Sequence, residues 1–267
     1  MDVSVDRPTR RVVLVTGAGG AGCGRAIAVR FGGRGDRVVV ADLDEAGGRE
    51  TVRMIESRGG LAAFVRADVR DESAVRELVS LAESRFGGLH VLVNNASAPQ
   101  PGDSFDDWLA PLQTDLMGAL YMTRWGVNAM RRVGGGVIVN IASISALWHG
   151  RRTPGGFPGY DVAKAGMIRM TTQLASLAET DNICVTCFAP GWIATDGPRE
   201  YWTSLTPEER AMRGVPSRLL EVDQAAEVVE RLADDRTLAG RVVVWWSDQA
   251  PGVIPWGDRG YGELEPF

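Results

Sequence analysis

Short β-branched runs recur along this chain, each followed by a segment patterned as a helix, and that alternation constrains the fold more than any other feature. The runs are Arg11–Thr16 (RVVLVT), Arg37–Ala41, Ala62–Arg66, Leu89–Asn94 (LHVLVN), Val137–Val139 leading into Asn140–Ser143, Ile183–Ala189 and Arg241–Trp246 (RVVVWW). They are nearly continuous in apolar residues rather than alternating, the pattern of strands buried on both faces of a parallel sheet. Helical patterns fall between them, over about Gly24–Gly32, Asp44–Arg58, Asp71–Phe86, Phe105–Arg132, Tyr160–Ala178 and Asp223–Ala233. In the third, Val75, Leu78, Val79 and Ala82 share a face and Asp71 is placed to cap the start. Pro111 is expected to break the longest one.

No repeat, low-complexity tract or linker divides the sequence. The beat therefore predicts one α/β domain over residues 1–267, doubly wound and Rossmann-type, with a seven-stranded parallel sheet and helices on both faces. With 45% hydrophobic and 24% charged residues, 267 residues can bury one large core. A net charge of −5 argues against nucleic-acid or anionic-membrane partners. No stretch approaches the roughly 18 apolar residues of a membrane span, and Met1–Arg11 has no apolar signal core. The expected location is the cytoplasm. Cys184 and Cys187 form a C-x-x-C, but residues three apart on a strand face opposite ways, so small buried residues are expected rather than a redox pair. Two histidines, His90 and His149, without H-E-x-x-H leave no expectation of a metal.

Open parallel sheets bind ligands beyond the carboxyl ends of their strands, where Thr16, Asp42, Asn94, Ser143 and Pro190 all fall. The turn Thr16–Gly24 (TGAGGAGCG) links the first strand to the first helix. Its glycines let a pyrophosphate approach the backbone, and the helix N-terminus supplies N–H donors, so the turn reads as a dinucleotide site. Asp42, at the end of the second strand, can accept hydrogen bonds from both hydroxyls of an adenosine ribose and would repel a 2′-phosphate, which favours NAD over NADP. Asp68 is a candidate for the adenine amino group, with helix capping as the other reading.

A second constellation lies between Asn140 and Lys164. Ser143 sits at the end of the fifth strand, and Tyr160 and Lys164 are one helical turn apart, about 6 Å on one face. An ammonium beside a phenol favours the phenolate, which is how a tyrosine becomes an acid or base near neutral pH. The grouping points to proton transfer.

The glycine turn, Asp42, Asp68-Val69, Asn94-Asn95-Ala96, Ser143, Tyr160-x-x-x-Lys164 and Pro190-Gly191-Trp192-Ile193-Ala194-Thr195, in this order, resemble the short-chain dehydrogenase/reductase family over about Arg11–Trp246. The resemblance implies an oxidoreductase interconverting a secondary alcohol and a ketone, with NAD as cofactor. Tyr160 would be the general acid/base, Ser143 would hold the reacting oxygen, and Lys164 would tune Tyr160 and hold the nicotinamide ribose. It also implies cofactor contacts at Gly17, Gly19, Gly22, Gly24, Asp42, Leu43, Asp68, Val69, Asn94, Ala96, Pro190, Ile193 and Thr195, and a homodimer or homotetramer. A dehydratase, epimerase or cyclase using the same acid/base set is the alternative.

Departures from the family pattern mark where this chain is its own. The glycine turn is one residue longer, so Gly19 or Gly20 must bulge. Asp115 stands where the family has Asn; it is read as a member of the catalytic relay that favours the ammonium form of Lys164. The Ser143–Tyr160 interval is a few residues longer than usual, and its extra segment, with Trp148, His149, Arg151, Arg152 and Phe157, is expected to border the reacting carbon together with Trp192. Residues 196–218 fall where relatives carry a substrate lid, with Trp202 as a substrate contact and Tyr201 as a further lid aromatic. The tail 247–267, with Trp256, Tyr261 and Phe267, is expected to dock on its own subunit or a neighbour.

Overall fold

The computed structural model describes residues 10–99, 108–147 and 157–256. Strand β1 (Val12–Thr16) leads through the glycine turn into α1 (Cys23–Gly33), followed by β2 (Arg37–Asp42), α2 (Glu45–Glu56), β3 (Leu61–Arg66), α3 (Glu72–Phe86) and β4 (Val91–Asn94). Asp71 caps α3, its carboxylate accepting from the N–H groups of Ser73 and Ala74. Next comes one helical run of three parts: α4 (Leu109–Pro111), a π-helical turn (Leu112–Gly118) and α5 (Ala119–Arg132). Pro111 does not break it. A proline in the first turn removes an N–H that has no intrahelical partner anyway, and the irregularity appears instead as the wider turn carrying Asp115.

Strand β5 (Gly136–Ile141) and a 3-10 turn (Ile144–Leu147) precede α6 (Pro158–Gln173), which ends five residues before the expected Ala178; α7 (Leu177–Thr180) is a separate short turn. After β6 (Ile183–Pro190) come α8 (Asp196–Thr203), α9 (Pro207–Arg213), α10 (Val222–Asp234), β7 (Val242–Trp245) and β8 (Gly252–Val253). The strands form one sheet in the order β3-β2-β1-β4-β5-β6-β7-β8. The first seven are parallel and β8 is antiparallel to β7, so the sheet has eight strands, not seven. The chain turns back after Trp246 and lays Val253 opposite Val243. A two-residue strand is stabilised by the edge it covers rather than by its own pattern.

Two apolar layers flank the sheet. Ile27, Phe31, Ile55, Phe188 and Val229 pack on one face, and Leu14, Leu78, Leu92, Met122 and Ile138 on the other. The crossover between β1 and β4 opens a cleft at the carboxyl edge. Cys184 and Cys187 are both free and fully buried, in different apolar clusters, and burial pushes their thiols up to about 11 and about 12. No helix among the described residues is long and apolar enough to cross a membrane.

Candidate active site

The exits of β1 and β4 are stapled together before any ligand need be considered. The Thr16 hydroxyl accepts the N–H groups of Asn95 and Ala96 at 3.0 and 3.1 Å, and the Asn95 amide donates to the carbonyls of Thr16 and Gly17 at 2.9 and 3.0 Å. Asn94 points the other way. It is 3% exposed and its amide donates to Asn140 at 2.8 Å and to Thr123 at 3.2 Å, so its side chain braces the sheet rather than lining the cleft.

The long glycine turn resolves its extra residue at Gly20. Gly20 is exposed and a Cβ there would meet nothing, whereas a Cβ on Gly19 would lie 2.7 Å from the Asp42 carboxyl carbon. Gly24 is where α1 crosses the turn: a Cβ would lie 2.2 Å from the Gly17 carbonyl oxygen. Sequence reasoning missed the supports beneath. Arg25 donates to the carbonyls of Gly19 and Gly47 and to the Thr51 hydroxyl, while Thr51 donates to the Ala18 carbonyl at 2.7 Å. The N-cap of α1, Gly22, offers no side chain to the helix N–H groups, and the first turn carries no acid. That leaves a helix N-terminus suited to an anion.

Asp42 ends β2, its two oxygens accepting from the N–H groups of Gly19 at 2.7 Å and Asp44 at 2.9 Å. Leu43 beside it is 51% exposed. Asp68 is engaged by Arg70, with a 2.6 Å ion pair that holds its carboxyl below the usual carboxylate range despite partial burial. It lines a separate depression with Arg70, Gln113, Met117 and Tyr121, while Val69 is buried.

At the far end of the cleft is a cavity of about 570 Å³ lined by Ser143, Tyr160 and Lys164 together with Phe157, Pro190, Trp192, Ile193 and Thr195. Ser143 Oγ accepts from the Ser145 N–H at 3.2 Å and lies 3.0 Å from the Ser145 hydroxyl. Lys164 is 2% exposed. Its Nζ donates to the Ile141 carbonyl at 2.9 Å, meets Asp115 Oδ2 at 3.0 Å and lies 5.3 Å from the Tyr160 ring centre. Burial alone would pull the ammonium pKa down, but the Asp115 charge and hydrogen bond, with Tyr160, outweigh it and hold Lys164 above the ordinary lysine value.

The α8–α9 side of the cavity corrects one expectation. Trp202 is not among the lining residues: its indole lies under the Arg210 guanidinium at 3.4 Å and donates to the Pro216 carbonyl at 2.9 Å, anchoring α8 to α9 and the segment after it. Its neighbour Tyr201 lines the cavity, stacked on Trp192 with ring centres 5.9 Å apart. Cys23 and Trp246 also line the wall and were not singled out from sequence. Trp148, His149, Arg151 and Arg152 lie outside the described residues.

Comparison with known proteins agrees with this geometry. The short chain dehydrogenase family model matches residues 11–205. An uncharacterized oxidoreductase of Thermotoga maritima is 33% identical over 91% of both chains. The L-rhamnose 1-dehydrogenase (NAD(P)(+)) of Azotobacter vinelandii is 35% identical over 84% of this chain and 90% of its own. The 3beta-hydroxysteroid dehydrogenase 1 of Eggerthella lenta is 35% identical over 75% of this chain and 77% of its own. A short-chain type dehydrogenase/reductase from Mycobacterium ulcerans shares the fold with a TM-score of 0.78 at 24% identity, over 88% and 87% of the two chains. The chain belongs to the short-chain dehydrogenase/reductase family and is an oxidoreductase of that class, whose dehydrogenases use NAD(P).

Proposed function

We propose that this chain is an NAD(H)-dependent oxidoreductase that interconverts a secondary alcohol and a ketone on a fairly bulky, partly apolar small molecule. The observation that carries the reading is the convergence of Ser143, Tyr160 and Lys164 on one cavity that also takes in Cys23, the first residue of α1 after the glycine turn. The turn's open Gly20, the side-chain-free α1 N-terminus and the Asp42 carboxylate suit a dinucleotide.

The dinucleotide, when bound, supplies the hydride acceptor or donor. Gly17, Gly19, Gly22 and Gly24 would hold its pyrophosphate, Asp42 and Leu43 its adenosine ribose, and Asp68 and Val69 its adenine. Asn94 through its backbone, Ala96, Pro190, Ile193 and Thr195 would hold the nicotinamide half. Ser143 orients the substrate oxygen, Tyr160 takes or gives its proton, and Lys164 holds positive charge beside the phenol and would hold the nicotinamide ribose. Asp115 completes this set through Lys164. The stacked Trp192–Tyr201 pair with Phe157 forms an apolar wall for the substrate body.

Asp42 supports NAD over NADP, because a carboxylate there pairs with ribose hydroxyls and repels a 2′-phosphate. Leu109, Leu120 and Val162 are exposed apolar residues on α4, α5 and α6, which supports self-association as a homodimer or homotetramer; the proposed location is the cytoplasm. The test of the reaction is net formation of reduced nicotinamide, followed by its near-ultraviolet absorbance, across a panel of secondary alcohols. Conversion of substrate with no net cofactor change would instead assign dehydratase, epimerase or cyclase chemistry.

A further inference from the structure

We propose that Asp115 is the counter-ion of Lys164 and, through the same carboxylate, the clamp on the Ser97–Ala98 exit of β4, a positioning residue that orients the lysine and keeps it charged. The inference rests on the reading above, in which Lys164 serves Tyr160 and the cofactor.

Asp115 is 0% exposed, on the π-helical turn. Three donors converge on it: the Ser97 hydroxyl at 2.6 Å, the Ala98 N–H at 2.8 Å and the Lys164 ammonium at 3.0 Å. A carboxylate is acceptor-only and can satisfy all three. An amide has one oxygen and an NH₂, so whichever way it turned it would set N–H against one of those donors. The Asn of the family pattern is therefore the wrong chemistry for this donor set, and Asp is the right one.

Asp115 is the carboxylate that meets Lys164 directly, and Tyr160 adds to the effect that favours the ammonium. Tyr160 faces it from its own helix, α6, and Cys187 from β6. The Cys187 thiol, pushed up to about 12 by burial, is neutral through the working range. Among the described residues Lys164 also donates to the Ile141 carbonyl of β5 and lies 3.9 Å from the Met167 sulfur. A buried ammonium without a counter-ion loses its proton readily. Here the pair prevents that, and it ties the lysine to the backbone that borders the cavity through Ser97 and Ala98.

Of the 29 basic residues, Lys164 is the only lysine. Labelling lysine side chains with nitrogen-15 therefore gives one resonance, and its pH titration reads Lys164 directly, independently of catalysis. In the wild-type protein the ammonium signal should persist above the ordinary lysine range. In Asp115→Asn it should titrate lower, and the alkaline limb of kcat should move with it toward neutral pH by roughly one pH unit or more. Ser97→Ala, which removes a donor but no charge, should leave the titration in place.

A wild-type Lys164 that titrates at or below the ordinary value would overturn the proposal without need of any variant. So would an Asp115→Asn titration equal to wild type, or a Ser97→Ala shift as large as that of Asp115→Asn. Full activity of a Tyr160→Phe variant would instead sink the assigned reaction and leave the lysine titration standing.

Discussion

The carboxylate of Asp42 and the backbone N–H of Gly19 are joined by a 2.7 Å hydrogen bond that couples the end of β2 to the glycine turn. The bond fixes the rotamer of a side chain that is otherwise at the rim. It also explains why position 19 has no Cβ, since one would lie 2.7 Å from the Asp42 carboxyl carbon.

The first expectation follows from that coupling. Hydrogen bonds to a charged group contribute about 1.5–3 kcal/mol, so Asp42→Ala should weaken NADH binding roughly tenfold to a hundredfold. It should also narrow the preference over NADPH, measured by fluorescence titration of both. NADPH binding tighter than NADH in the wild type would refute the role given to Asp42.

Gly24→Ala should destabilise the fold itself. The added methyl would sit 2.2 Å from the Gly17 oxygen and 2.5 Å from the Asn95 amide nitrogen. Overpacking of this kind costs about 1–3 kcal/mol, so thermal unfolding should begin several degrees lower, along with weaker cofactor binding. Gly20→Ala, where the methyl meets open space, is the matched control and should melt like the wild type.

Trp192 and Trp202 should separate kinetically. Removing Trp192 deletes one half of the stacked wall, and loss of an aromatic contact of about 0.5–1.5 kcal/mol should raise KM for an apolar-bodied substrate by roughly twofold to tenfold. Trp202→Ala removes the tie of α8 to Arg210 and Pro216 instead, so if this segment closes over the substrate kcat and KM should change together. Equal effects of the two changes on KM alone would mean that Trp202 faces the substrate after all.

Acid should loosen the α1–α10 contact. Asp234 pairs with Arg11 at 2.8 Å and Arg34 at 2.9 Å, and these cations hold its carboxyl below its ordinary value against the opposing effect of burial. A carboxyl whose folded pKa is depressed contributes stability that is complete above the unfolded value and disappears as pH falls through the folded one. The melting-temperature gap between wild type and Asp234→Asn should thus be widest near neutrality and close below about pH 4. A gap that widens in acid would contradict the pairing.

Much of this was readable in the residues because the signals are local. The β-branched runs place seven strands, and Ser143, Tyr160 and Lys164 meet because a strand end and one helical turn bring them there. What escaped depends on neighbours. Gly252–Val253 is a strand only because β7 offers an edge. Leu112–Gly118 has an ordinary helical composition, and only its packing reveals a π-helical turn. Tyr201 and Trp202 are adjacent on α8, and which of them faces the cavity is set by Arg210 and Pro216, contacts between segments that no spacing encodes. Arg25 and Thr51 serve backbone carbonyls of the turn, a role that leaves no pattern in sequence.

Tyr160→Phe deletes one oxygen from the centre of the proposed site and disturbs little else, which makes it the most direct test. General acid/base catalysis contributes roughly 10²–10⁴-fold, so oxidation of a secondary alcohol with NAD should fall by that factor while NADH affinity stays near the wild-type value. Turnover within about tenfold of wild type, well short of that contribution, would contradict the assignment of Tyr160 as the acid/base.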